Sequence, residues 1–367
     1  MLTPHLLADG ARAASTLAAA VGALVIGAVV FALLWQASSI SAGDAGLTLQ
    51  FATQFIGLVQ NFFRAKTFLE VLMNDVERVD EYSSQLPLEA YAGDEPPAAW
   101  PSGGAIRFDS VRLRYASASA PIFDGLSVDI PARTRVGVVG RTGAGKSSLT
   151  VALLRMVELS GGSISIDGVD TRCIGLARLR SSIALVAQDP TLLRGTVRYN
   201  MCPLASMDGG SVAAPDDATL MLALQLAGLE AKIRSLGGLD SLVSEGGGNL
   251  SVGERQLLCM ARALVRDAAV LVMDEATASV DGEADRRLQD MIRSSSCFGA
   301  ATVLTIAHRL HTVAFYDRVL VLSKGTVAEY DAPLALLEQS GGAFRRLAEG
   351  TGDLDGLVRL ARGGVGS

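Results

Sequence analysis

Residues 140–147, Gly140-Arg-Thr-Gly-Ala-Gly145-Lys146-Ser147, combine the backbone freedom and the side chains needed to hold a chain of phosphates. Glycines let successive N–H groups turn inward around phosphate oxygens, an ammonium at Lys146 can reach the β- and γ-phosphates, and the Ser147 hydroxyl can ligate Mg2+. The cradle comprises Gly140, Thr142, Gly143, Gly145, Lys146, Ser147 and Ser148. Such a loop needs a buried strand before it and a helix after it. Arg135–Val139 reads as that strand and Leu149–Met156 as that helix. This P-loop pattern implies nucleotide binding and says nothing of its purpose.

A second apolar strand, Ala269–Met273, ends in two carboxylates, Asp274 and Glu275. At a strand tip, Asp274 can hold Mg2+ opposite Ser147. One residue on, Glu275 can orient a water for in-line attack on the γ-phosphate. Together the two motifs point to nucleotide hydrolysis.

Composition limits what surrounds this chemistry. The chain has 367 residues, 49% of them hydrophobic, and a formal net charge of −6. That charge argues against a nucleic-acid partner. With 3 histidines a His-rich metal site is not expected, and the separated cysteines Cys173, Cys202, Cys259 and Cys297 suggest reduced thiols. The apolar excess lies near the N-terminus. Ala14–Trp35 carries no charge and is long enough to span a bilayer; a signal peptide is the competing reading, disfavoured by the length of the run. Leu47–Phe63 is a weaker span, interrupted by Gln50, Gln54, Gln60 and Asn61. Gln50 and Gln54, one turn apart, would line a water-filled path or glue helices together. The loop between the spans lacks Lys and Arg, whereas Arg12, Arg64 and Lys66 flank them, so both ends are expected in the cytosol.

Further motifs make the P-loop specific. Leu250-Ser-Val-Gly-Glu254 opens a helix expected over Glu254–Val265 and resembles the LSGGQ signature of ATP-binding cassette (ABC) transporters. In that family the signature presents N–H groups and a serine hydroxyl, here Ser251 and Gly253, to the ATP held by another cassette's P-loop. The resemblance extends to Tyr115 as the aromatic that stacks on adenine and to Gln188 as the Q-loop glutamine that touches Mg2+. Ser279-Val-Asp281 resembles the D-loop, and His308 the switch histidine that works with Glu275. His311 has no such counterpart.

Gly195–Pro203, Leu250–Cys259 and Asp75–Tyr82 are similar to the second half of the multidrug-resistance-associated, or C, subfamily. The resemblance implies an α/β fold: a P-loop NTPase ABC cassette with a RecA-like core, an antiparallel β subdomain and a helical signature subdomain, preceded by two transmembrane α-helices. The expected layout is a partial transmembrane domain at 1–85, with helices about 14–35 and 47–63 and a cytosolic extension to about 82. A linker at 86–104, the cassette at 105–350 and a flexible tail at 351–367 follow. The implied activity is ATP hydrolysis with Mg2+, coupled to export of organic anions, conjugates or xenobiotics. The implied partners are a first membrane domain, a first cassette and the lipid bilayer, with the chain as the C-terminal piece of a multi-pass membrane protein. Two departures stand out: Val252 replaces a signature glycine, and Glu254 replaces glutamine and adds negative charge near a triphosphate. A nucleotide-gated channel or channel regulator, and a non-transport cassette ATPase, are the competing functions.

Overall fold

The structure, a computed structural model, describes residues 4–36, 39–86, 89, 93–116, 118, 120–203, 215–275, 282–293 and 298–363. It divides into two units, 1–89 and 90–367.

In the first unit, helix α1 spans Pro4–Trp35 and helix α2 spans Ala42–Asp80, followed by a wider helical turn at Glu81–Gln85. Ser41 caps α2: its hydroxyl accepts from the Asp44 N–H at 3.2 Å and donates to Asp44 Oδ2 at 2.7 Å. The helices approach closely at Gly22, where a Cβ would stand 2.9 Å from Ile56 Cγ2. Small residues permit such crossings. Leu24, Phe31, Trp35, Phe55, Leu58 and Phe62 are exposed, an apolar surface of the kind that contacts lipid or protein. Gln50 and Gln54 are also exposed.

The two expected spans fall on α1 and α2, but among the described residues no helix is long and apolar enough to cross a membrane. In α2 the amides dilute the apolar run.

The second unit contains an antiparallel sheet of β1 (Ile106–Leu113), β2 (Phe123–Ile130), β4 (Gly161–Ile166) and β5 (Val169–Asp170), ordered β2-β1-β4-β5. Beside it stands a six-stranded sheet. Its strands are β3 (Arg135–Gly140), β6 (Ile183–Val186), β9 (Val270–Asp274), β10 (Thr302–Ile306), β11 (Arg318–Ser323) and β12 (Thr326–Asp331). The order is β12-β11-β3-β10-β9-β6, parallel except for the β11–β12 pair. A short pair, β7 (Gly195–Thr196) and β8 (Leu242–Val243), completes the strands. The helices that position the site are α3 (Lys146–Leu153), α4 (Leu176–Ser181), α5 (Val197–Met201), α6 (Asp217–Leu226), α7 (Glu230–Leu236) and α8 (Val252–Arg266). Beyond them come α9 (Gly282–Arg293), α10 (Leu310–Val313), α11 (Pro333–Glu338), α12 (Ala343–Glu349) and α13 (Leu354–Gly363).

Strand periodicity explains the layering. Along β3, Val136 and Val138 enter one core with Leu149 and Leu153 of α3, while Val139 enters the other. Along β9, Val270 and Val272 face the first core, and Leu271 and Met273 face the second with Leu257 and Met260 of α8. Continuous apolar runs are what a parallel sheet covered on both faces requires. Each such side chain contributes about 1.5–3 kcal/mol relative to leaving it exposed. In β1 the alternation is interrupted once: the pairing shifts between Phe108 and Val111, where Ser110 adopts a φ of 49°. That bulge keeps Ile106, Phe108, Val111 and Leu113 all buried.

Two segments differ from expectation. The tail at 351–367 is not flexible throughout, because α13 packs Leu357 and Ala361 into the domain. Leu354, Leu357, Val358 and Ala361 have helical spacing, and the glycines that follow obscured it. The stretch 86–104 is not wholly a linker, because its end is built into the β sheet. Trp100 is buried and its Nε1 donates to Ile166 O at 2.8 Å. Asp167 Oδ2 accepts from the N–H groups of Ser102, Gly103 and Gly104 at 2.8–3.1 Å, and Oδ1 accepts from Ala105 N–H at 2.8 Å.

Burial alone would raise the Asp167 carboxyl, but bonds from Gly103, Gly104, Ala105 and Ser102 outweigh it and hold the group below the usual aspartate range. A depressed folded pKa gives stability that is present above the unfolded value and lost as pH falls through the folded one. Asp167→Asn is therefore expected to cost about 1–2 kcal/mol at neutral pH, allowing for partial exposure, and less in acid. Urea melts of the full chain at pH 7 and near pH 3 check this; an equal loss at both would contradict it.

Candidate functional site

The site forms where three neighbouring parallel strands end. Val138 of β3, Ile306 of β10 and Asp274 of β9 stand in line across the sheet. The ladder continues past the strands: Ala307 N–H donates to Val138 O at 3.1 Å and Glu275 N–H to Ile306 O at 3.0 Å. The P-loop, the paired carboxylates and His308 thus leave the sheet side by side. Ligands of open α/β sheets bind at such carboxyl ends.

Gly140 must be glycine because a Cβ would lie 2.4 Å from Leu322 O. Gly143 and Gly145 take φ values of 81° and 99°, and Gly145 also lies against the Phe123 ring. Thr142, just before Gly143, is exposed on the loop. Gly145 opens α3 without a side-chain cap, which leaves the first N–H groups of the helix for an anion. Lys146 is buried and its Nζ donates to Gly140 O at 2.9 Å and Arg141 O at 3.4 Å. Burial lowers its ammonium below the ordinary lysine range, against the opposing pull of Glu275 and Asp274.

Burial pushes the Asp274 carboxyl up, and the Glu275 carboxylate adds to the shift; Ser147, His308 and Lys146 pull the other way without prevailing. Asp274 Oδ1 is buried and has no hydrogen-bond partner. A buried acceptor beside the Ser147 hydroxyl is a donor set that fits a hard divalent cation completed by phosphate oxygens.

Glu275 holds a φ of 48°, a strained conformation for a non-glycine residue worth about 1–3 kcal/mol, maintained by its bond to Ile306. The strain turns its carboxylate toward His308, whose Nε2 lies 2.6 Å from Glu275 Oε1. Behind the pair is a cavity of about 90 Å3 with an apolar wall that includes Met260, Met273, Leu288 and Ile292.

The other expected residues surround this centre. Tyr115 follows β1 and its hydroxyl donates to Ser148 Oγ at 3.1 Å, which links the expected base-stacking residue to the first turn of α3. Gln188 lies exposed just beyond β6, the edge strand beside β9. Ser251 caps α8 through a reciprocal box. Its hydroxyl accepts from Glu254 N–H at 3.1 Å, and its own N–H donates to Glu254 Oε2 at 2.8 Å. Gly253 is buried in the first turn and Val252 is exposed. Ser279–Asp281 lies outside the described residues.

Glu254, the added acid of the signature, is paired: Lys232 Nζ of α7 lies 3.2 Å from its Oε1. Burial would raise this carboxyl, but the Ser251 N–H and Lys232 hold it below the usual range. Lys232 was missed because it is remote in sequence from Glu254 and carries no motif. Also missed was the way α8 is tied to the Gln188 segment. Buried Gln256 donates from Nε2 to Ala187 O at 3.1 Å, and Arg262 donates to Asn200 O at 2.7 Å and Thr191 O at 3.2 Å. Fully buried Asn200 in turn bonds both the N–H and the carbonyl of Leu193.

Residues 123–278 match the family model described as ABC transporter. Over 330 residues the chain is 44% identical to "ABC transporter C family member 3" of Dictyostelium discoideum, covering 88% of this chain and 23% of that protein. It is 41% identical over 345 residues to the "Oligomycin resistance ATP-dependent permease YOR1" of Saccharomyces cerevisiae, covering 89% of this chain and 23% of the relative. The solved structure of a bacterial Atm1-family ABC exporter with ATP bound is similar with a TM-score of 0.67 and 28% identity, over 85% of this chain and 53% of that one. The chain thus spans under a quarter of the curated relatives' length.

An aspartate whose folded pKa is raised costs stability at any pH where the unfolded group is ionised. Asp274→Asn is therefore expected to raise the melting temperature of the nucleotide-free chain by roughly 2–4 °C, as about 1 kcal/mol would. The same variant should lose most of the further rise that Mg2+ and ATP give the wild type. Thermal scans with and without Mg2+ and ATP read both effects.

Proposed function

We propose that this chain, which matches the ABC transporter model over residues 123–278 and is similar to C family members, binds and hydrolyses ATP to drive export of organic anions, conjugates or xenobiotics across a membrane. The observation that carries the hydrolytic part is the 2.6 Å contact between His308 and Glu275 beside the P-loop. In this reading the loop N–H groups and Lys146 hold the β- and γ-phosphates, and Tyr115 stacks on adenine. A cation held by Ser147, Asp274 and Gln188 supplies charge neutralisation on the phosphate oxygens. Glu275 accepts a hydrogen bond from the attacking water and polarises it. His308 Nε2–H fixes the carboxylate and faces the γ-phosphate. The water oxygen forms a bond to phosphorus as the bond to the β–γ bridging oxygen breaks, one water proton passes by way of the Glu275 carboxylate to a phosphate oxygen or to solvent, and inorganic phosphate and ADP leave.

The cassette contributes two separate surfaces to this chemistry, the P-loop edge and the Ser251 end of α8. Each serves a different ATP, with a partner cassette completing both sites and a first membrane domain completing the path. The share of the relatives' length covered by this chain supports that division. So does the apolar surface of the first unit, which fits a multi-pass membrane location with the cassette in the cytosol.

Glu275→Gln is expected to keep ATP affinity within about twofold and to lower turnover by at least a hundredfold in the assembled protein, the scale of losing a group that acts on the reacting water. Retained turnover would remove Glu275 from the mechanism. Membrane vesicles carrying the assembled protein should accumulate a glutathione conjugate in an ATP-dependent, vanadate-sensitive manner. ATP-gated current without accumulation would favour a channel instead.

A further inference from the structure

His308 is held by more than its contact with Glu275. Helix α10 begins two residues later, at Leu310, so its position sets that of the imidazole. On its inner side α10 is seated firmly. Val313 packs on β3 at Gly137, where a Cβ would stand 2.4 Å from Val313 Cβ. On its outer side lies an open groove of about 510 Å3, lined by His308, His311, Asp285, Gln289 and Leu360 among others. Leu310, Thr312 and Val313 are buried, so the exposed His311 is the residue of this four-residue helix that faces the groove side.

A polar contact spans from α10 to the last helix. His311 Nε2 lies 2.9 Å from Asp353 Oδ2. The other oxygen of Asp353 accepts the Gly356 N–H at 3.0 Å and so starts α13. That helix is anchored in turn by Leu357 and Ala361, both buried in the core. On the α9 side a longer pair, Arg309 with Asp285 at 3.8 Å, flanks the same loop. An unbroken path of contacts therefore runs from the core through α13, Asp353 and His311 to α10 and His308.

We infer that His311 and Asp353 are positioning residues for His308, and that the C-terminal helix α13 is part of the hydrolytic apparatus. The inference rests on the reading of His308 and Glu275 as the hydrolytic pair. Neither His311 nor Asp353 touches the reacting atoms; they restrict the outward movement of α10. Their side chains are about half exposed. An exposed pair of this kind carries a few-fold effect.

The test uses the full chain, assembled with its partner for turnover, and two substitutions at 311 that leave the α13 cap intact. His311→Leu removes the bond to Asp353, while His311→Gln keeps an amide donor on a flexible stem. His311→Leu is expected to speed amide hydrogen exchange at 307–313, lower kcat two- to fivefold and leave ATP affinity within twofold. His311→Gln should restore both exchange and kcat. Unchanged exchange in His311→Leu would overturn the inference, as would faster exchange with full kcat, or equal losses of kcat and ATP affinity. A wild type without turnover refutes the hydrolytic reading alone, and the exchange measurement still decides whether the tie holds.

Discussion

The register of three parallel strands is the constraint on which the site depends. Val138, Ile306 and Asp274 are aligned by backbone hydrogen bonds between β3, β10 and β9. A slip of one residue in β9 would turn Asp274 to the opposite face and carry Glu275 away from His308. The alignment is enforced from both sides, because successive residues of β9 bury alternately into two different cores. Apolar burial sets the register, and the register in turn gathers a lysine, two carboxylates and an imidazole at one edge.

That gathering is unfavourable in itself. Lys146 is desolvated, Asp274 is buried beside a like charge with an oxygen left unpaired, and Glu275 is held in a left-handed conformation. None of the three would persist on a surface loop. Each is kept in place by rigid neighbours: α3 behind Lys146, the core on both sides of β9, and the Ile306 carbonyl beneath Glu275. A phosphate chain with its cation relieves the first two costs together, which makes the site selective for an occupant that brings both signs of charge.

Much of this was legible in the sequence because it is local. The P-loop, the strand ending in Asp274-Glu275 and the helix opening at Ser251 each declare themselves within a dozen residues, and the α/β cassette follows from their order. What stayed hidden depends on long-range packing. Nothing near Glu254 announces Lys232, nothing near Trp100 announces Asp167, and nothing near His311 announces Asp353. The last helix was obscured differently, since terminal glycines outweighed an apolar spacing short enough to pass for a frayed end. The apolar runs located α1 and α2 as helices, but among the described residues neither is long and apolar enough to cross a membrane.

The hydrogen bonds from α8 to the segment before it have a kinematic consequence. Gln256 grips Ala187 near one end of the helix, and Arg262 grips Thr191 and Asn200 further along. Two separated attachments oppose rotation about either one alone. A helix of 15 residues, about 22 Å long, therefore cannot swing on its own while those bonds hold. A displacement of the Gln188 segment is passed to α8 first through Gln256, close to the Ser251 turn, while Arg262 holds the far part of the helix to Thr191 and Asn200.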